Sequence, residues 1–127
     1  MLVQFGYPIG PVELERRLAR FAADATVCLL VAQNSAGPVG VAMLQVVEVL
    51  EGDAPLGMLL TLIVDETARR RHIGTMLVEE LQRFARQQGC FGIVVQSGSR
   101  RIDAHKLYEK LGYEQTGERF LKIFNRE

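Results

Sequence analysis

The chain has 127 residues, 48% of them hydrophobic and 24% charged, with 15 Lys+Arg against 15 Asp+Glu. That size and profile describe one globular domain spanning residues 1–127 and exclude a disordered or fibrous chain. The balanced charge lacks the basic excess that drives nucleic-acid binding through counterion release, so no nucleic-acid partner is expected.

Taken in chain order, Pro8 to Ala23 places Pro11 at a first helical position and Leu14, Leu18 and Phe21 at helical spacing, which predicts an amphipathic helix. Val27 to Ala32 and Val39 to Val49 are apolar runs separated by Asn34-Ser35-Ala36-Gly37-Pro38, the pattern of an antiparallel hairpin. Met58 to Val64 is almost wholly apolar and of strand length, which predicts a central strand buried on both faces. Beyond it Ile73, Met76, Leu77, Leu81 and Phe84 recur at three- and four-residue intervals up to Gly89, predicting a helix with a left-handed residue just past its end. Phe91 to Gln96 reads as another buried strand, broken by Ser97-Gly98-Ser99. Asp103 caps or opens a short helix whose Leu107, Tyr108 and Leu111 share a face, and Gly112 ends it. Tyr113 to Gln115 and Arg119 to Phe124 read as a closing pair of strands. The order predicts an α/β domain with a mixed sheet and helices packed on it.

Cys28 and Cys90 each adjoin an apolar run and are expected as reduced core residues. No cysteine and histidine set has metal-ligand spacing, and His72 and His105 have no evident co-ligands, so no metal is expected. The N-terminus lacks a secretory pattern, and no apolar run approaches the ~20 residues that span a bilayer. A cytoplasmic protein without membrane contact is the expectation.

Positive charge is concentrated at Arg69, Arg70 and Arg71 and again at Arg100 and Arg101, which suggests a small anionic ligand. The first cluster lies between the apolar strand and the start of the long helix. A helix start leaves backbone N–H groups without intrahelical partners and adds partial positive charge, so it suits a phosphate. Arginines on the approach add charge-assisted hydrogen bonds, and Gly74 keeps a side chain out of the first turn. No Gly-Lys-Ser/Thr follows, so this is not a nucleotide-binding P-loop.

The segment resembles the pyrophosphate signature of the GNAT superfamily of N-acetyltransferases, Arg/Gln-x-x-Gly-x-Gly/Ala, over Arg69-Arg70-Arg71-His72-Ile73-Gly74, with His72 standing where the family has its first glycine. A second block, Ala104 to Tyr113, is similar to the family's Ala-x-x-hydrophobic-Tyr-x-x-x-Gly-Phe/Tyr stretch. The resemblance runs from about Val27 onward. It implies a mostly antiparallel central sheet flanked by helices, with splayed central strands and with the family's first strand and much of its first helix missing.

It further implies acetyl-coenzyme A as co-substrate and transfer of its acetyl group to a primary amine of a small molecule or peptide by direct attack. Backbone groups of Leu62, Ile63 and Val64 would bind the pantetheine arm. Arg69, Arg70, Arg71, His72, Ile73, Gly74 and Thr75 would hold the pyrophosphate, and the arm would lie in a wedge between Leu62 to Val64 and Val94 to Gln96. Tyr108 takes the family's general-acid position, where a phenol protonates the departing thiolate. Many relatives carry a general-base Glu on the central strand, but Met58-Leu59-Leu60-Thr61 contains no carboxylate, leaving a water chain, Glu48, Glu51 or Asp53 for that step. Arg101 stands where the family often has Asn, and Ser97, Ser99, Arg101 and Lys106 are candidates for the arm or the adenosine phosphate. His105 beside Ala104 is similar to a subgroup acting on small molecules. A homodimer through the last strands is common in the family. The alternative is a non-catalytic acyl-coenzyme A-binding or regulatory module.

Overall fold

The structure, a computed structural model, describes residues 11–21, 23–35, 37–65, 72–95, 102–116 and 122–124. Its elements are α1 (Pro11–Ala19), β1 (Val27–Asn34), β2 (Gly37–Val47), β3 (Leu56–Val64), α2 (Ile73–Gln87), β4 (Ile93–Val95) and α3 (Ile102–Lys110). The four strands form one sheet in the order β1-β2-β3-β4. The first two pairings are antiparallel and β3–β4 is parallel. Mixed α/β architecture is therefore as expected.

The helix α1 starts at Pro11, where a fixed φ costs nothing and the missing N–H is not needed. It ends at Ala19, short of the predicted Ala23. The helix α2 lies across β2 and β3. Its Leu77, Val78, Leu81 and Ala85 are buried with Ala42, Leu44, Leu59 and Tyr108 in one core. The expected apolar face was displaced in part, because Met76 is 56% exposed while Val78 is fully buried.

Close approach of α2 to the sheet depends on Gly40. A Cβ there would lie 3.1 Å from Leu77 Cδ1, 3.3 Å from Ile73 Cγ2 and 3.4 Å from the Ile63 carbonyl. On the opposite face Val41 and Ile63 are buried and face one another across the β2–β3 ladder. Leu18 and Phe21 meet Val27 and Leu29 in a shared cleft beside α1.

The predicted closing strands are not seen among the described residues. Residues 113–116 and 122–124 are in no strand, and 117–121 lie outside the described set. The stretch expected as a buried strand from Phe91 begins pairing only at Ile93, and Phe91 is 66% exposed. Its amide donates instead to the Pro55 carbonyl, which belongs to the loop entering β3.

Candidate active site

The central feature is a bulge in β3. Met43 pairs with Thr61 and Leu44 with Leu59, so Leu60 has no partner on β2. An extra residue bends a strand and shifts its face by one position. As a result Leu59 and Leu62, three apart, both pack toward the α2 core, while Ile63 turns to the other face. This is why a nearly continuous apolar run serves both faces, with Leu60 itself 36% exposed.

The same position marks the end of the β3–β4 pairing. Gly57, Met58 and Leu59 pair with Ile93, Val94 and Val95, and among the described residues no pairing to β4 continues beyond them. Leu62, Ile63 and Val64 therefore run on past the last described residue of β4 and, among the described residues, pair with β2 alone. Of the expected far wall of the wedge, Val94 to Gln96, Gln96 lies outside the described residues, as do Arg69, Arg70 and Arg71 of the turn.

His72 is the residue before α2 and adopts a left-handed conformation, φ 60° and ψ 22°, the only non-glycine with positive φ among the described residues. Left-handed backbone is open to His at a modest cost. The first helical hydrogen bond is Met76 N–H to the His72 carbonyl. The His72 side chain makes no capping hydrogen bond, and the first turn holds no acidic residue. The N–H groups of Ile73, Gly74 and Thr75 lie in the first turn of α2, a position complementary to an anion.

Gly74 serves packing as well. A Cβ on it would lie 3.1 Å from Leu107 Cδ2 and 3.8 Å from Val64 Cγ2. The missing side chain is aimed at α3 and β3 rather than at open space, so its small size brings the three elements together at this corner. Sequence spacing gave no sign of Leu107 as its neighbour, because the contact crosses more than thirty positions of chain.

Tyr108 is 6% exposed and packs in the same core as Leu59, the last β3 residue paired with β4. The C-terminal ends of α2 and α3 are closed alike. Cys90 N–H donates to the Ala85 carbonyl and Tyr113 N–H to the Tyr108 carbonyl, while Gly89 and Gly112 adopt φ 82° and 92°. These are six-to-one turns with glycine at the left-handed position, as the sequence predicted. Tyr113 then returns over Tyr108, with ring centroids 5.7 Å apart.

Cys28 and Cys90 are free thiols of intermediate exposure. Burial pushes both above the usual thiol range, aided by Glu80 at Cys28 and by Glu48 at Cys90. Neither has the lowered pKa of a nucleophilic cysteine. Among the described residues no three His, Cys, Asp or Glu side chains are grouped to hold a metal ion, and no helix is long and apolar enough to cross a membrane.

Solved structures share this architecture. A GNAT family acetyltransferase of Staphylococcus aureus superposes with a TM-score of 0.79 at 20% identity, covering 98% of this chain and 84% of that one. An aminoglycoside N-acetyltransferase solved in complex with coenzyme A gives 0.74 at 18% identity, covering 87% and 75%. Among curated proteins, human N-acetyltransferase 8 is 34% identical over 68 residues, 54% of this chain and 30% of its own length. The chain thus spans about a third of that relative. A family model described as the acetyltransferase (GNAT) family matches residues 3–113, most of the chain, and the protein belongs to that family.

Proposed function

We propose that the chain is an acetyl-coenzyme A-dependent N-acetyltransferase acting on a primary amine of a small molecule or peptide. The observation that carries the reading is the coincidence at one end of β3. Among the described residues pairing with β4 ends beside the Leu60 bulge, and the strand then leads toward a helix start that the His72 side chain does not cap. Backbone groups of Leu62, Ile63 and Val64 would hold the pantetheine arm as an added strand. The amides of Ile73, Gly74 and Thr75, with His72 and the arginines at 69 to 71, would hold the pyrophosphate.

Bound acetyl-coenzyme A supplies the activated acetyl thioester. Tyr108 would hold a proton at its phenolic oxygen for the sulfur that leaves. The coenzyme A complex of an aminoglycoside N-acetyltransferase with this fold supports the choice of donor. The general base belongs to Glu48, Glu51, Asp53 or a water chain.

The second reading, a non-catalytic acyl-coenzyme A-binding module, is favoured by the absence of any carboxylate between Leu56 and Val64. Thiol release from acetyl-coenzyme A across spermidine, kanamycin, glucosamine, L-lysine and 2-aminoethylphosphonate separates the two. Release with one amine supports the enzyme, and Tyr108→Phe should then slow kcat by about a hundredfold with coenzyme A binding retained. Binding by calorimetry without release on any amine supports the module. Absence of binding removes both.

A further inference from the structure

The short helix α3 is attached to α2 at two separated points. At one, Leu107 reaches the glycine that opens α2, within 3.1 Å of where a Cβ would stand. At the other, the chain leaves α3 through the Gly112 turn, where the Gly112 and Tyr113 amides donate to the Glu109 and Tyr108 carbonyls at 3.1 and 2.9 Å. That turn lays the Tyr113 ring against the Tyr108 ring at 5.7 Å and 60°. The Tyr113 hydroxyl then donates to Gln82 Oε1 at 2.9 Å, in the middle of α2. Burial raises the Tyr113 pKa, an effect that Arg86 opposes, so near neutral pH the hydroxyl remains a donor.

A phenylalanine would fill the same ring volume. What the hydroxyl adds is direction, since a hydrogen bond at this length tolerates little sliding of one helix along the other. We infer that Tyr113, anchored by Gln82, is a positioning residue that sets the Tyr108 phenol relative to the start of α2. The inference rests on the acetyltransferase reading above. In that reading Tyr108 must meet a sulfur whose position is governed by a pyrophosphate held at the other end of the pantetheine arm. The Tyr113–Gln82 bond is the hydrogen-bonded one of the two described links between the helix that bears the acid and the helix that would bear the phosphates. Small displacements between reacting groups are costly, up to about a hundredfold in rate for roughly 1 Å.

The test uses the intact chain, acetyl-coenzyme A and whichever amine of the panel above releases thiol fastest. Tyr113→Phe removes the bond and keeps the ring, Gln82→Leu removes the acceptor, and Gln82→Glu keeps one. Tyr113→Phe and Gln82→Leu are each expected to lower kcat about tenfold with KM for acetyl-coenzyme A within about twofold of wild type, and Gln82→Glu to recover most of the loss. In a Tyr108→Phe background, Tyr113→Phe should add nothing further, because its effect runs through the phenol already removed.

A latch that only stabilises the fold gives another pattern. The melting temperature falls, kcat per folded molecule stays at wild type, and the inference is overturned while the role of Tyr108 stands. A full additional loss in the Tyr108→Phe background overturns it equally. If no amine in the panel releases thiol, or if Tyr108→Phe is as fast as wild type, the acetyltransferase reading fails first and takes this one with it.

Discussion

His72 shows how one residue can satisfy a backbone requirement through an unexpected side chain. The turn into α2 needs a left-handed residue, and His72 supplies it at φ 60°. Left-handed backbone costs an L-residue roughly 1–2 kcal/mol, with His among the better tolerated and β-branched residues among the worst. His72→Gly should therefore raise stability by about 0.5–1 kcal/mol, and His72→Val should lower it by about 1–2 kcal/mol. Chemical denaturation checks both, and a His72→Val protein as stable as wild type would remove the backbone argument. Calorimetry with coenzyme A adds a second reading, since only the valine variant should disturb the amides of Ile73 to Thr75. The helix start was legible from residue types. The φ of His72 was not, because a departure from a family pattern does not say whether the backbone has changed with it.

Among the elements, periodicity located α2 and both of its ends, since Ile73 and Gly89 are punctuated by local conformational needs. It placed Ile73, Leu77, Leu81 and Phe84 on the core face and erred at Met76, which is exposed, while Val78 is buried. How closely α2 sits on the sheet depends on Gly40, whose missing side chain admits Leu77 and Ile73. The Leu60 bulge was equally hidden. An all-apolar run has no alternation to break, so a shift of face within it leaves no mark on the sequence. Gly40→Ala follows from this geometry as a test of the α2–sheet contact. Its methyl meets two side-chain atoms and a backbone carbonyl at 3.1–3.4 Å, and overpacking of that kind costs about 1–3 kcal/mol. The expected result is a lower denaturation midpoint with an unchanged slope. Retained midpoint would mean that α2 can shift outward freely.

For the molecule as a whole, the shifted groups predict how stability depends on pH. Tyr113, Cys28 and Cys90 are all raised in the folded state, chiefly by burial. A raised acid keeps its proton in the folded protein after the unfolded chain has lost it, so the folded state binds more protons and stability falls as pH rises. The thiol contribution is complete below the unfolded cysteine value of about 8.5 and fades above it, and that of Tyr113 follows above about 10. On the acid side Asp24 is lowered by hydrogen bonds from the Thr26 hydroxyl and amide at 2.6 and 2.9 Å. Its contribution is present above the ordinary carboxylate range and lost as pH falls through its lowered value, and full exposure keeps it small. Thermal melts should therefore show a plateau near neutrality and a decline beginning just above pH ~8.5. Replacing both cysteines by alanine should delay that decline toward the tyrosine range, at the expense of some packing at the edge of the core. A decline that begins at the same pH in the double variant would assign it to groups other than the two thiols.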